Sequence, residues 1–192
     1  MNKSVQNVLL VGVGGQGIIR ASDILSAVLM RAGFDVKKSE VHGMAQRGGC
    51  VSSHVRFGSK VYSPLTKKGD VDILVSFEKL ETLRYLDYLK ADGKVIINDE
   101  EIYPPSVNLG EEAYPADATN FIKKHFTSVK VVNATEMALR SGDRRMANTV
   151  ILGVLSSYLD IEYRVWEDVL EESFPPKILS GNKEAFELGR GV

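Results

Sequence analysis

NVLLVGVGGQGI, residues 7–18, decides how this chain folds. A short apolar run with no alternating polar face reads as a strand buried on both sides, as in a parallel sheet. Gly12, Gly14 and Gly17 follow at the spacing G-x-G-x-x-G. That spacing suits a tight turn between a strand and a helix. Beyond it, Ile18, Ala21, Ile24, Leu25, Val28, Leu29 and Ala32 recur at helical intervals, and Gly33 stands where a C-cap belongs. FDVKKSEV, residues 34–41, reads as a second strand, which completes a β-α-β unit. The start MNKSVQNVLLVGVGG superficially suggests a signal peptide, but the glycine pattern favours a first strand and its turn.

The rest of the chain keeps the alternation. CVSSHVRFG, residues 50–58, reads as a strand, and Gly58-Ser59 reads as a hairpin turn into KVYSP. VDILVSF (71–77), KVIIN (94–98) and VKVVN (129–133) read as further strands. Residues 78–90 read as one amphipathic helix, and residues 117–125 as another. Residues 99–117 carry Pro104, Pro105 and Pro115 and read as irregular. ATEMALRSG starts a helix. MANTVILGVLSSYL (146–159) is an apolar helix for a core or a subunit interface, and two short amphipathic helices close the chain. The expected class is α/β: one domain over 1–192, an open Rossmann-like, mostly parallel sheet with helices on both faces and one antiparallel hairpin.

Composition narrows the function. The 192 residues are 44% apolar and 26% charged, with a net charge of −1, which gives no basic surface for nucleic acid. No apolar run reaches the roughly 20 residues of a membrane span. The expected location is the cytoplasm. Cys50 is the single cysteine, so the chain forms no internal disulfide and holds no iron–sulfur cluster alone. His42, His54 and His125 lack zinc-site spacing. There is no P-loop, no G-x-S-x-G elbow, no CxxC and no thiamine-binding GDG motif.

Two segments carry the candidate binding residues. The first is the turn, with Gly12, Gly14, Gly15, Gln16 and Gly17, whose following helix presents amides to an anion. The ribose-binding acid of a dinucleotide site belongs about 20 residues on. Lys37 and Lys38 stand there instead, and Glu40 is the nearest acid. The second is EVHGMAQRGG, residues 40–49, a loop at the sheet's C-terminal edge. Arg47 suits a carboxylate or phosphate, Gly48 and Gly49 expose backbone amides, and Glu40 and Gln46 flank them. His42 is the catalytic candidate, able to move a proton or donate a hydrogen bond. Cys50 reads as a small buried residue, His54 and His125 as structural or solvated, and Asp143-Arg144-Arg145 as a helix cap.

GVGGQGI (12–18), SEVHGMAQRGGCVSSHVRFG (39–58), SPL (63–65), FEKLETLRYLDYL (77–89), NTVILG (148–153) and NKEAFELG (182–189) together resemble the gamma-type module of 2-oxoacid:ferredoxin oxidoreductases, in its indolepyruvate branch. The resemblance runs over residues 7–189. It implies a subunit that binds no cofactor tightly, beside a large alpha subunit bearing thiamine diphosphate and iron–sulfur clusters. The complex would oxidatively decarboxylate a 2-oxoacid, pass electrons to ferredoxin and hand the acyl group to coenzyme A. The glycine turn and residues 40–49 would then face the partner's active site or coenzyme A. The isolated chain's apolar helices offer a surface for a homodimer. A stand-alone NAD(P)-binding protein, with Lys37 and Lys38 at a 2′-phosphate, and a purely structural assembly module are the other readings.

Overall fold

The computed structural model describes residues 4–43 and 49–192. β1 (Gln6–Val13) leads through the glycine turn to α1 (Ile18–Arg31) and β2 (Asp35–His42). β3 (Cys50–Gly58), β4 (Val71–Ser76), α2 (Lys79–Arg84) and β5 (Leu89–Asn98) follow. Then come α3 (Pro105–Asn108), α4 (Ala118–His125), β6 (Ser128–Val132) and α5 (Ala134–Arg140). The chain closes with α6 (Ala147–Ser156), α7 (Tyr163–Ser173) and α8 (Pro176–Arg190).

The strands make one sheet in the order β2-β3-β1-β4-β5-β6. β1, β4, β5 and β6 run parallel. β3 alone runs against its neighbours, antiparallel to both β1 and β2. The α/β class, the mostly parallel sheet and an antiparallel hairpin are therefore all present. The hairpin's partner differs from the one the sequence suggested. It joins β2 to β3, and residues 60–64 form no strand. The reason lies in the ladder: His54 pairs with Leu9 on one side and Ser39 on the other, so β3 has no free edge to offer. The chain after Gly58 is instead anchored by the Val61 N–H, which donates to the Asp35 carboxylate at 2.8 Å.

The second helix is shorter than its periodicity suggested. Glu78 caps it, accepting from the Glu81 N–H at 2.9 Å. A 3-10 turn, Leu86–Tyr88, then ends it because Leu89 pairs with Val71 and already belongs to β5. Gly33 closes α1 as expected. It takes φ +87°, and the Phe34 N–H reaches back to the Leu29 carbonyl at 3.1 Å.

Burial follows the two-residue period of β1. Val8 and Leu10 face the larger layer, where α1, α5, α6, α7 and α8 pack. Leu9 and Val11 face the smaller layer with residues of α2 and α4. All four are fully buried, which is why the run 8–11 shows no polar alternation. His54 is also buried, its Nδ1 accepting from the Thr66 N–H at 3.4 Å. Burial and then the Arg56 charge lower its pKa, so it is a structural histidine.

The apolar helix α6 belongs to the core, with nine of its ten residues, Asn148 to Ser156, buried. It crosses α8 with backbone against backbone. A Cβ on Gly153 would fall on the Phe186 carbonyl oxygen, and one on Gly189 on that of Val150. Gly153→Ala should therefore lower stability by about 1–3 kcal/mol, the usual cost of overpacking a tight core. Chemical denaturation checks this, and an unchanged midpoint would show that the helices separate freely.

Candidate functional site

β1 ends at Val13, and the chain turns over the C-terminal edge of the sheet. Gly15 and Gly17 hold φ +103° and +81°, values that a side chain strains. Gly12 is needed for space: a Cβ there would lie 2.8 Å from Gln16 Oε1 and 2.9 Å from Phe77 Cβ. Gly17 packs against Asn148 at the start of α6. The Gly14 N–H donates to the Gly49 carbonyl at 2.9 Å. That bond ties the turn to the foot of the segment between β2 and β3.

Gln16 folds back into the turn. Its Oε1 accepts from the Val13 N–H at 2.8 Å, and its Nε2 donates to the Phe77 carbonyl at 2.8 Å. The same Nε2 lies 3.4 Å from Glu100 Oε2. Gln16 is therefore a strut between the ends of β1 and β4. Three partners within the protein hold its amide in place.

Glu100 was not legible as a site residue. It follows β5, and its Oε2 accepts from Asn98 Nδ2 and Thr135 Oγ1, both at 2.9 Å. Its Oε1 faces Arg144 at 3.4 Å. Asn98 also donates to the Phe77 carbonyl at 3.2 Å and accepts from the Ala134 N–H at 2.9 Å. One polar network thus joins β1, β4, β5 and α5. The available signal was positional: an acid just past a strand's C-terminal end, where such sheets hold ligands.

The turn divides two clefts. One, of about 510 Å³, lies toward β4 and β5 and is lined by Gly15, Gln16, Phe77, Glu100, Thr135 and Arg144. The other, of about 520 Å³, lies toward β2 and β3 and includes Gly14, Gly17, Ile19, Arg20, His42 and Val51. The turn and His42 therefore meet at one edge. Glu40 sits two residues before His42 on the same strand face, with Nε2 of His42 at 3.9 Å and Lys38 Nζ at 2.6 Å. Lys38 pairs with Asp23 as well, and Lys37 pairs with Asp35 at 3.2 Å. Neither lysine is poised for a 2′-phosphate. Gln46, Arg47 and Gly48 lie outside the described residues; Gly49 is placed by its bond to Gly14. Among the described residues no cluster of histidine, cysteine and acids could hold a metal. No helix of the described residues is long and apolar enough to cross a membrane.

Cys50 opens β3, half-buried, with Sγ 3.0 Å from the Tyr85 hydroxyl. Burial, and then the neighbouring Glu81 carboxylate, push its thiol from 9.0 up to about 11. The nucleophilic form is the thiolate. At pH 8 its thiolate is much scarcer than that of an ordinary cysteine, and although a more basic thiolate is the better nucleophile, iodoacetamide should alkylate Cys50 about tenfold more slowly. The rate should keep climbing beyond the ordinary value of 9.0. A rate that is ordinary and levels there would contradict this reading.

The comparisons with known proteins agree with this geometry. The family model described as pyruvate ferredoxin/flavodoxin oxidoreductase matches residues 7–192. The indolepyruvate oxidoreductase subunit IorB of Thermococcus kodakarensis is 37% identical over 188 residues, 95% of this chain and 93% of that one. Among solved structures, pyruvate oxidoreductase subunit PORC of Thermotoga maritima superposes with a TM-score of 0.75 at 22% identity, covering 100% of this chain and 97% of that one. A 2-oxoglutarate:ferredoxin oxidoreductase from Magnetococcus marinus, with 2-oxoglutarate, coenzyme A and succinyl-CoA bound, superposes with a TM-score of 0.77 at 23% identity. There the match covers 98% of this chain and 31% of the other. From its matched length and its identity to these relatives, the chain belongs to the pyruvate ferredoxin/flavodoxin oxidoreductase family.

Proposed function

We propose that this chain is the non-cluster-bearing subunit of a 2-oxoacid:ferredoxin oxidoreductase of the indolepyruvate type. The end-to-end identity of 37% with a subunit of that name carries the reading. The chain's own chemistry is compatible with it. One cysteine, with a raised pKa, offers no set of thiolates for a cluster. Thiamine diphosphate, held by the large partner, supplies the decarboxylation chemistry when bound.

In this reading the glycine turn and residues 40–49 form the surface that meets the partner's active site or coenzyme A. Gly15 is exposed at the crest of the turn, and the His42 side chain is about half exposed (52%) beside the β2–β3 cleft. His42 would hold or move a proton at the acyl-acceptor end, and Arg47 would pair with an anionic group. The NAD(P)-binding alternative is disfavoured by the ion pairs of Lys37 and Lys38.

The test is a tagged chain recovered from its native cells without oxygen. The reading predicts a brown complex with a large second subunit that reduces viologen when given indolepyruvate and coenzyme A. Within that complex, Arg47→Ala or His42→Ala should raise the Michaelis constant for coenzyme A by about tenfold or more, the effect of one charge-assisted contact. A colourless, inactive chain recovered alone would overturn the assignment. Weakened assembly with unchanged coenzyme A dependence would make the loop a docking element only.

A further inference from the structure

Cys50 stands where three parts of the working edge meet. Its carbonyl accepts from the Gly43 N–H, one residue past β2, at 2.8 Å. The Gly49 carbonyl beside it accepts from Gly14 of the glycine turn at 2.9 Å. In the ladder Cys50 lies opposite Val13, the last residue of β1. The approach is close, since a Cβ on Gly43 would lie 3.2 Å from the Cys50 carbonyl oxygen. The ends of elements are where a fold opens most cheaply, yet this end has a side-chain tie to the smaller helix layer. Tyr85, just past α2, places its hydroxyl 3.0 Å from Cys50 Sγ. Its ring packs on that of Tyr88, with centroids 5.7 Å apart, and Tyr88 meets the buried His54 ring edge-on at 5.9 Å. His54 lies midway along β3, so the hydroxyl is carried on an aromatic row anchored in the body of the same strand. Burial first, and then Glu81 for the thiol and Cys50 for the hydroxyl, push these two groups up to about 11 and about 12. Both therefore keep their protons at neutral pH.

We propose that Tyr85 is a positioning residue: through the Cys50 thiol it fixes the end of β3, and with that end the Gly43 and Gly14 amides on either side of it. His42 directly precedes Gly43 and pairs with Val51, which follows Cys50. A shift at Cys50 would move His42 and the glycine turn together. What this placement serves, contact with coenzyme A, rests on the proposed function; the tie itself does not.

Tyr85→Phe removes only the hydroxyl. In the full chain it should speed hydrogen exchange of the Gly43 and Gly14 amides about fivefold, the effect of one hydrogen bond, while mid-strand Leu9 keeps its protection. Cys50→Ala should do the same, and the double variant should exchange no faster than either single one, because both break one contact. Cys50→Ser keeps a hydrogen-bonding partner for Tyr85 and should recover protection relative to Cys50→Ala. In the assembled enzyme, Tyr85→Phe should raise the Michaelis constant for coenzyme A about fivefold and leave turnover at saturation unchanged. Unchanged exchange at Gly43 and Gly14 in a folded Tyr85→Phe chain overturns the proposal. So does faster exchange with an unchanged Michaelis constant in an active complex. A complex that is inactive even when unaltered defeats the functional assignment instead, and the exchange rates still decide the tie.

Discussion

The hydrogen bonds of one side chain hold the working edge of this protein together. Gln16 accepts from the last amide of β1 and donates to the carbonyl just beyond β4. These two strands are neighbours at the centre of the sheet. Without Gln16 the Val13 N–H would lose this partner, while the Phe77 carbonyl would keep the Asn98 donor at 3.2 Å. Leaving one such group unpaired costs about 1–3 kcal/mol. The strut demands that Gly12 have no Cβ, since one would collide with the Gln16 amide oxygen. It also directs the amide nitrogen toward Glu100. The glycine turn, the polar network and the shape of both clefts follow from that placement.

The turn consequently has two unlike sides. Toward β5 it is braced by Asn98, Glu100 and Thr135, a set closed on itself. Toward β2 it is joined by the Gly14–Gly49 bond to the segment after β2, and the cleft there is lined by Arg20, Asp23 and His42 beside Ile19 and Val51. The first side is closed by hydrogen bonds within the protein, and the second carries His42.

Much of the fold was legible in the sequence because its signals are local. The uninterrupted apolar run at 8–11 reports burial on both faces, and Gly33 reports the end of α1. The placement of β3 was not legible. Gly58-Ser59 is a good turn signal, yet the strand before it is already paired on both edges, a fact set by tertiary contacts with β1 and β2. The site divides likewise. Gly12, Gly15, Gly17 and His42 announce themselves by residue type and spacing, and the structure brings them to one sheet edge. Gln16 stands out in the sequence because its neighbours are glycines, whereas its bridge between two strands exists only in the folded chain. Glu100 lies 84 residues from Gln16 in the chain. Its importance exists only once β1, β4 and β5 are side by side.

Amide hydrogen exchange at Val13, compared between the unaltered chain and Gln16→Ala, tests the central claim most directly. The account predicts that Val13 exchanges slowly in the unaltered chain and at least about tenfold faster in the variant, the effect of losing one buried hydrogen bond. Leu9 and Leu10, mid-strand, should keep their protection. Equal protection of Val13 in both proteins would contradict it, because the turn would then be held by something other than Gln16.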